Sequence, residues 1–332
     1  MTNYFVSERY PAARYTAGVL REDIETVLAQ EGFTKLTIPE PSGLLNRILF
    51  YIKAPAAFRR VKDPGYVFFH FPLRSRLIRS FLETVINKGG TPIAYVHDFE
   101  GLRDQEPGLL QEEMKLLSQF PIVIAQNEAM KQVIDEHTNT KKIIVLGMYD
   151  YLGVDNNIPQ RSFSPHICFA GNLAKASFVQ QLHTFPCLQF SIYGQGAGAT
   201  NAANVSFKGV TDPRELPHKL EGSFGLVWDG DSISSAQGAG AYLQYNIPHK
   251  LALYIMAGTP VLVWDQSAMA GWVRQEGIGL TISTLSEIKQ AISQLSEDDY
   301  QQMRSNMVAT RKKMSEGKFL SEALKRAVRE EV

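Results

Sequence analysis

The residues with most chemistry to offer lie between Phe224 and Trp264, FGLVWDGDSISSAQGAGAYLQYNIPHKLALYIMAGTPVLVW. Asp229, Asp231, Tyr242, Tyr245, Asn246, His249 and Lys250 fall between two apolar runs that read as buried strands. Pro248 suits the first turn of a helix, where its missing N–H costs nothing. A helix beginning Pro248-His249-Lys250, with Asn246 or Tyr245 near its N-cap, offers free backbone N–H groups beside a cation. That combination holds a phosphate or diphosphate. A lysine at a helix start works against the helix dipole, so a merely solvated Lys250 is the poorer explanation.

Other short constellations end apolar runs. Gly171-Asn172-Leu173-Ala174-Lys175 follows HICFA, and strand, glycine turn and cation together suit a phosphate oxygen. Tyr193-Gly194-Gln195-Gly196 follows another strand and offers a loop for a base or ribose. Each is equally readable as a plain turn. Asp229-Gly230-Asp231 has the form of a carboxylate pair for Mg²⁺ or Mn²⁺. Lys250 already supplies a cation, so loop capping or a sugar-hydroxyl contact by Asp229 is favoured, and no metal is expected. His97-Asp98 closes the run IAYVH, where Asp98, or His97 in its place, is set to take a proton from an acceptor hydroxyl. The loop Ser7–Gly18 carries Thr16 and Gly18, which could touch a sugar diphosphate from the other side. Eight basic residues but one acid lie between Arg47 and Arg79, interleaved with Phe50, Tyr51, Phe58 and Phe71. This stretch reads as a contact with an anionic membrane surface or lipid-diphosphate acceptor, or as a solvated basic face.

The elements that must position these groups alternate. Strands are expected at Tyr4–Val6, Thr34–Ile38, Tyr66–His70, Ile93–His97, Ile122–Ala125 and Ile143–Leu146. Helices are expected at Ala17–Gln30, Arg74–Lys88, Leu109–Gln119 and Glu128–His137. After a polar linker at Asp150–Pro165 the strands resume as HICFAGN, LQFSIYG, VSFKG, FGLVWDG, TPVLVW and LTI. Short apolar strands separated by helices imply parallel sheets covered on both faces. The expectation is therefore two doubly wound α/β domains, residues 1–155 and 156–314. A basic amphipathic helix within 315–332, Ser315–Glu331, would cross back to the first domain. Ligands of such sheets bind beyond the strands' carboxyl ends, and the cleft between two domains is the default site.

Bulk properties narrow the class. The chain has 332 residues, 44% hydrophobic and 20% charged, enough for two domains. Lys+Arg and Asp+Glu are both 34, which argues against nucleic acid as a partner. Cys168 and Cys187 sit in apolar surroundings and are expected to be buried free thiols. MTNYFVSERYP lacks a charged stretch followed by an apolar core, so no signal peptide is expected there, and no apolar run approaches the roughly 20 residues of a membrane span. A cytoplasmic enzyme is expected, at the inner membrane face if the basic stretch binds there. Its oligomeric state is open, and a homo-oligomer is compatible with the chain.

The segment from Phe224 to Asp265 resembles bacterial β-1,6-galactofuranosyltransferases that build surface polysaccharides. More distantly it is similar to the glucosyltransferase acting third in glycosylation of streptococcal serine-rich adhesins. The likeness extends to YFVSERYPAARYTAG, HDFEGLR, AGNLAKASF and EGIGLTI, so it spans most of the chain. It implies a GT-B fold, two Rossmann-like domains with a UDP-sugar between them, and metal-independent transfer. By motif, Lys175 and Lys250 would contact the diphosphate and the loop around Thr16–Gly18 would close over the donor. The adhesin enzyme's pattern has arginine at Lys175 and lacks the Pro-His pair before Lys250, which favours the galactofuranosyl reading. The resulting expectation is an inverting hexosyltransferase using a UDP-sugar and a glycan acceptor, lipid-linked or protein-linked. UDP-glucose or UDP-GlcNAc transfer to a glycosylated adhesin is the alternative, and a silent nucleotide-sugar-binding subunit a third. An epimerase is disfavoured, because no GxGxxG follows the first strand and no YxxxK accompanies a suitable serine.

Overall fold

A computed structural model describes residues 1–8, 16–38, 58, 61–154, 159–196 and 202–329. The chain forms two compact units, Met1–Gly147 with Phe319–Val332, and Met148–Lys318.

The first unit is built on six parallel strands: β1 (Thr2–Glu8), β2 (Thr34–Ile38), β3 (Pro64–Phe71), β4 (Thr91–Val96), β5 (Ile122–Ala125) and β6 (Lys142–Val145). Their order is β2-β1-β3-β4-β5-β6, so the winding direction reverses between β1 and β3. Runs such as YVFFH and IAYVH are continuous rather than alternating because both faces of the sheet are covered. On one face Phe69 packs against Phe81 and Phe120, with ring centroids 5.8 and 5.6 Å away. Phe58 stacks on Phe81 at 4.4 Å. Phe58 and Phe71 are thus core residues, 8% and 0% exposed, not part of an apolar membrane-facing surface. Arg47, Phe50, Tyr51, Lys53, Arg59 and Arg60 of that basic stretch lie outside the described residues.

The second unit repeats the plan with β7 (His166–Ala170), β8 (Gln189–Tyr193), β9 (Val205–Gly209), β10 (Phe224–Val227), β11 (Val261–Trp264) and β12 (Gly279–Ile282). The order is β12-β11-β10-β7-β8-β9, all parallel, reversing between β7 and β10. β7 and β10 pair only through Ile167↔Phe224 and Cys168↔Gly225. They then part, which is why both strands stop before the polar tails that the apolar runs suggest. The 19-residue helix Glu297–Ser315 begins with a Ser296–Asp299 capping box, a start signal that the sequence reading passed over. Beyond it Gly317, at φ +69°, breaks the helix expected at Ser315–Glu331. The last helix, Lys318–Val328, hydrogen-bonds within the first unit, Arg326 to the Val145 carbonyl at 2.6 Å and Tyr66 to that of Val328 at 3.3 Å.

Of the two thiols, Cys168 is buried, and burial pushes it up to about 12. Cys187 is exposed, against expectation, with its sulfur 3.6 Å from Lys289 Nζ. Among the described residues no helix is long and apolar enough to cross a membrane.

Candidate functional site

The reversal point of the second sheet is where the notable residues converge, as the rule for doubly wound sheets requires. Where β7 and β10 separate, the backbone N–H of Ala170 and the carbonyl of Leu226 lose each other as partners. The hydroxyl of Tyr254 fills the gap. It accepts from Ala170 N at 2.9 Å and donates to Leu226 O at 3.2 Å. Its ring lies flat over Gly225, where a Cβ atom would collide with it. Tyr254 is fully buried on the helix His249–Met256, and burial pushes its phenol well above the ordinary range.

Lys250 stands four residues before Tyr254, hence on the same face of the helix one turn closer to its N-terminus. The tyrosine anchor therefore sets the lysine over the strand ends. Lys250 Nζ lies 2.7 Å from Asp229 Oδ1, just past the end of β10. The same nitrogen is 5.4 Å from the centre of the Phe169 ring. A side-chain carbon at Gly171 would be 3.8 Å from it, an ordinary van der Waals distance, so the turn after β7 runs beside the cation. One of three ammonium donors goes to Asp229, and its geometry leaves the ammonium able to bind further oxygen acceptors. Pro248, not Asn246 or Tyr245, is the N-cap, and it supplies no side-chain cap. The first backbone N–H groups of the helix thus have no side-chain cap, a setting that suits an anion.

His249, the first helical residue, is partly buried and stacks on Tyr149 at 5.2 Å. Burial first, and then the charge of Lys250, push its imidazole down to about 4. It is therefore a neutral group next to the cation. Asn246 lies just ahead, its buried Oδ1 without a hydrogen-bond partner among the described residues. Tyr242 is buried in the same stretch, its ring 6.4 Å from that of Tyr245.

The glycine loops pack as a layer on the cation's side. Gly171 N donates to Tyr193 O at 3.0 Å, and Leu173 N to Gln195 O at 3.2 Å. Gly194, at φ +147°, is in a region open to glycine, and a Cβ there would collide with the Gly171 carbonyl. Asn172 caps the following turn through a 3.0 Å bond from Ala174 N. Lys175 is exposed, and its carbonyl accepts from Gly230 N at 3.3 Å. Tyr193 turns inward instead: its hydroxyl donates to Lys219 O at 3.0 Å and accepts from Glu221 N at 2.9 Å. Asp231 is exposed, and its backbone carbonyl accepts from the Gln181 amide at 2.8 Å.

In the first unit, Thr16 and Gly18 form the first turn of the helix Thr16–Gln30, and residues 9–15 lie outside the described residues. His97 and Asp98 follow β4 at its carboxyl end, both partly exposed. Glu113 caps the next helical turn by accepting from Glu100 N at 2.8 Å and Gly101 N at 2.9 Å. Arg103 on that turn lies 4.0 Å from Asp98 Oδ2. His97 Nε2 meets Nδ1 of the buried His70 at 2.8 Å, and the amide of Gln126 holds the His97 carbonyl. Sequence reasoning missed His70, Gln126, Glu113 and Tyr254. A usable signal existed for His70 alone: YVFFH and IAYVH are apolar runs that both end in histidine.

The Glucosyltransferase 3-like family matches in two parts, its N-terminal domain over residues 3–148 and its C-terminal domain over residues 167–327. The β-1,6-galactofuranosyltransferase WbbI of Escherichia coli (strain K12) is 26% identical over 337 residues, covering 98% of each chain. Glucosyltransferase 3 of Streptococcus gordonii is 26% identical over 328 residues, covering 95% of each. Among solved structures, Anabaena Alr3699/HepE in complex with UDP and glucose matches with a TM-score of 0.64 at 12% identity, over 98% of this chain and all of that one.

Proposed function

This chain belongs to the Glucosyltransferase 3-like family and is a hexosyltransferase of GT-B fold, and from that premise we propose that it transfers galactofuranose, with inversion, from UDP-galactofuranose to a sugar hydroxyl. The observation that carries the donor assignment is the placement of Lys250. Its ammonium, the helix start and the Gly171 turn meet at one sheet's reversal point. Held there, a diphosphate leaves with its charge met by fixed donors, so no divalent ion is needed. Asp229 acts as counter-ion to Lys250 rather than as a metal ligand. Asn246, His249 and Tyr242 would line the remainder of the donor site, with Gly171, Asn172 and Lys175 on the turn opposite.

Either His97 or Asp98 would take the acceptor proton. The geometry supports His97, since Asp98 is already drawn toward Arg103 while His97 is braced from behind. The reading predicts that purified enzyme consumes UDP-galactofuranose with EDTA present and that Asp98→Asn keeps substantial turnover. Activity abolished by EDTA and restored by Mn²⁺ would overturn the metal-independent part. Glucose transfer is the second reading, favoured by the likeness to the streptococcal glucosyltransferase over 95% of the chain. A panel of UDP-sugars offered to one preparation separates the two.

A further inference from the structure

We propose that His70 is a positioning residue that fixes the tautomer of His97 and raises its basicity, an inference that rests on His97 as the base. His70 is the penultimate residue of β3 and pairs in register with Tyr95 of β4, so His97, two residues further on, shares its face of the sheet, and the two rings lie with centroids 5.0 Å apart. His70 Nδ1 and His97 Nε2 are 2.8 Å apart, so one N–H lies between them. His70 is 5% exposed, whereas His97 is partly open. The other nitrogen of His70, Nε2, is buried with no hydrogen-bond partner among the described residues. A leucine at this place on the sheet would avoid that cost. The imidazole is best explained by what its first nitrogen does for His97.

The charged and titratable groups around the pair explain which ring changes state. Arg21, on the helix Thr16–Gln30, faces His70, while Tyr95 lies beside His97 at 4.9 Å, with Asp98 next in the chain. Burial, the Arg21 charge and His97 itself hold His70 well below the ordinary imidazole range, so it stays neutral. A neutral His70 accepting at Nδ1 receives the N–H of His97 Nε2. That leaves the lone pair of His97 on Nδ1. During transfer the acceptor O–H bond breaks and its proton goes to His97 Nδ1. The oxygen's electron pair forms the new bond to the anomeric carbon, and the bond from that carbon to the diphosphate oxygen breaks, its pair leaving with UDP. The imidazolium so formed still donates through Nε2 to His70 and is stabilised by it. A carboxylate behind a catalytic histidine does the same work in other enzymes.

The test compares wild type, His70→Phe and His70→Asn. Imidazole ¹⁵N shifts report the tautomer and titration of His97 without any substrate, and steady-state kinetics report the rate. His97 is expected as the Nε2–H tautomer. His70→Phe should lower its titration midpoint and move the acid limb of kcat to lower pH. It should cut kcat about 10- to 100-fold with donor KM unchanged. His70→Asn, which keeps an acceptor near the position of Nδ1, should recover much of both. An Nδ1–H tautomer for His97, or an unmoved titration in His70→Phe, overturns the proposal. A rate loss that Asn does not relieve, without movement of the limb, also overturns it. If wild type consumes no UDP-sugar the proposed function fails, and the resonance measurement still decides what His70 does to His97.

Discussion

Lys250 and Asp229 form the ion pair at the heart of the proposed donor site, and their 2.7 Å contact has two opposed consequences. The carboxylate holds the ammonium in place, but it also competes with a phosphate for it. Asp229→Asn should therefore leave UDP binding in EDTA intact or strengthen it, by roughly two- to tenfold, as calorimetry would show. A metal site would lose binding altogether. His249 supplies a pH prediction. Its imidazole titrates near 4 in the folded chain and near 6.5 in the unfolded one. Between those values the unfolded chain takes up a proton that the folded chain refuses, so this stabilisation is present above about 6.5 and lost as pH falls toward 4. Thermal melts should show the midpoint dropping over that window, and His249→Asn should flatten the drop. At this scale the sequence was readable where a local signal existed, as in the helix start at Pro248-His249-Lys250, which the fold places at His249. It offered the Tyr193 loop to a base or ribose but gave no sign that the Tyr193 hydroxyl is turned inward by backbone groups at Lys219 and Glu221, which only the fold brings close.

The helix His249–Met256 is positioned by its far end. Tyr254 bridges Ala170 and Leu226 where two strands part, and Gly225 makes room for its ring. Tyr254→Phe leaves a buried N–H and carbonyl unpaired and should cost about 1–3 kcal/mol in denaturant titrations. Gly225→Ala forces the ring aside and should cost a similar amount, with weaker UDP binding because Lys250 moves with the helix. Glu113→Ala removes the cap from the turn at Glu100–Arg103 and should cost about 1 kcal/mol while loosening the segment after His97. The KxxxY spacing was visible in the chain from the outset. Its meaning was not, because a tyrosine in an apolar helix is ordinarily core, and the gap it fills exists only once β7 and β10 have paired and diverged.

Across the whole molecule the alternation of apolar runs and helical segments was enough to give two parallel six-stranded sheets, since burial on both faces leaves a plain mark on composition. Strand order is set by long-range pairing, and the reversal points that organise each unit became visible only in the fold. The basic stretch from Arg47 to Arg79 shows the opposite failing. Charge and aromatic residues in one run suggested a surface, yet Phe58 and Phe71 belong to the core. The central claim is that a fixed cation and a helix start, not a metal, hold the donor diphosphate. Calorimetric titration of UDP into the full chain with EDTA present, for wild type and Lys250→Ala, tests it most directly. The account predicts clear binding by wild type and a loss of about 10- to 100-fold in the variant. Binding that appears only with Mn²⁺, or equal affinity in the two proteins, would contradict it.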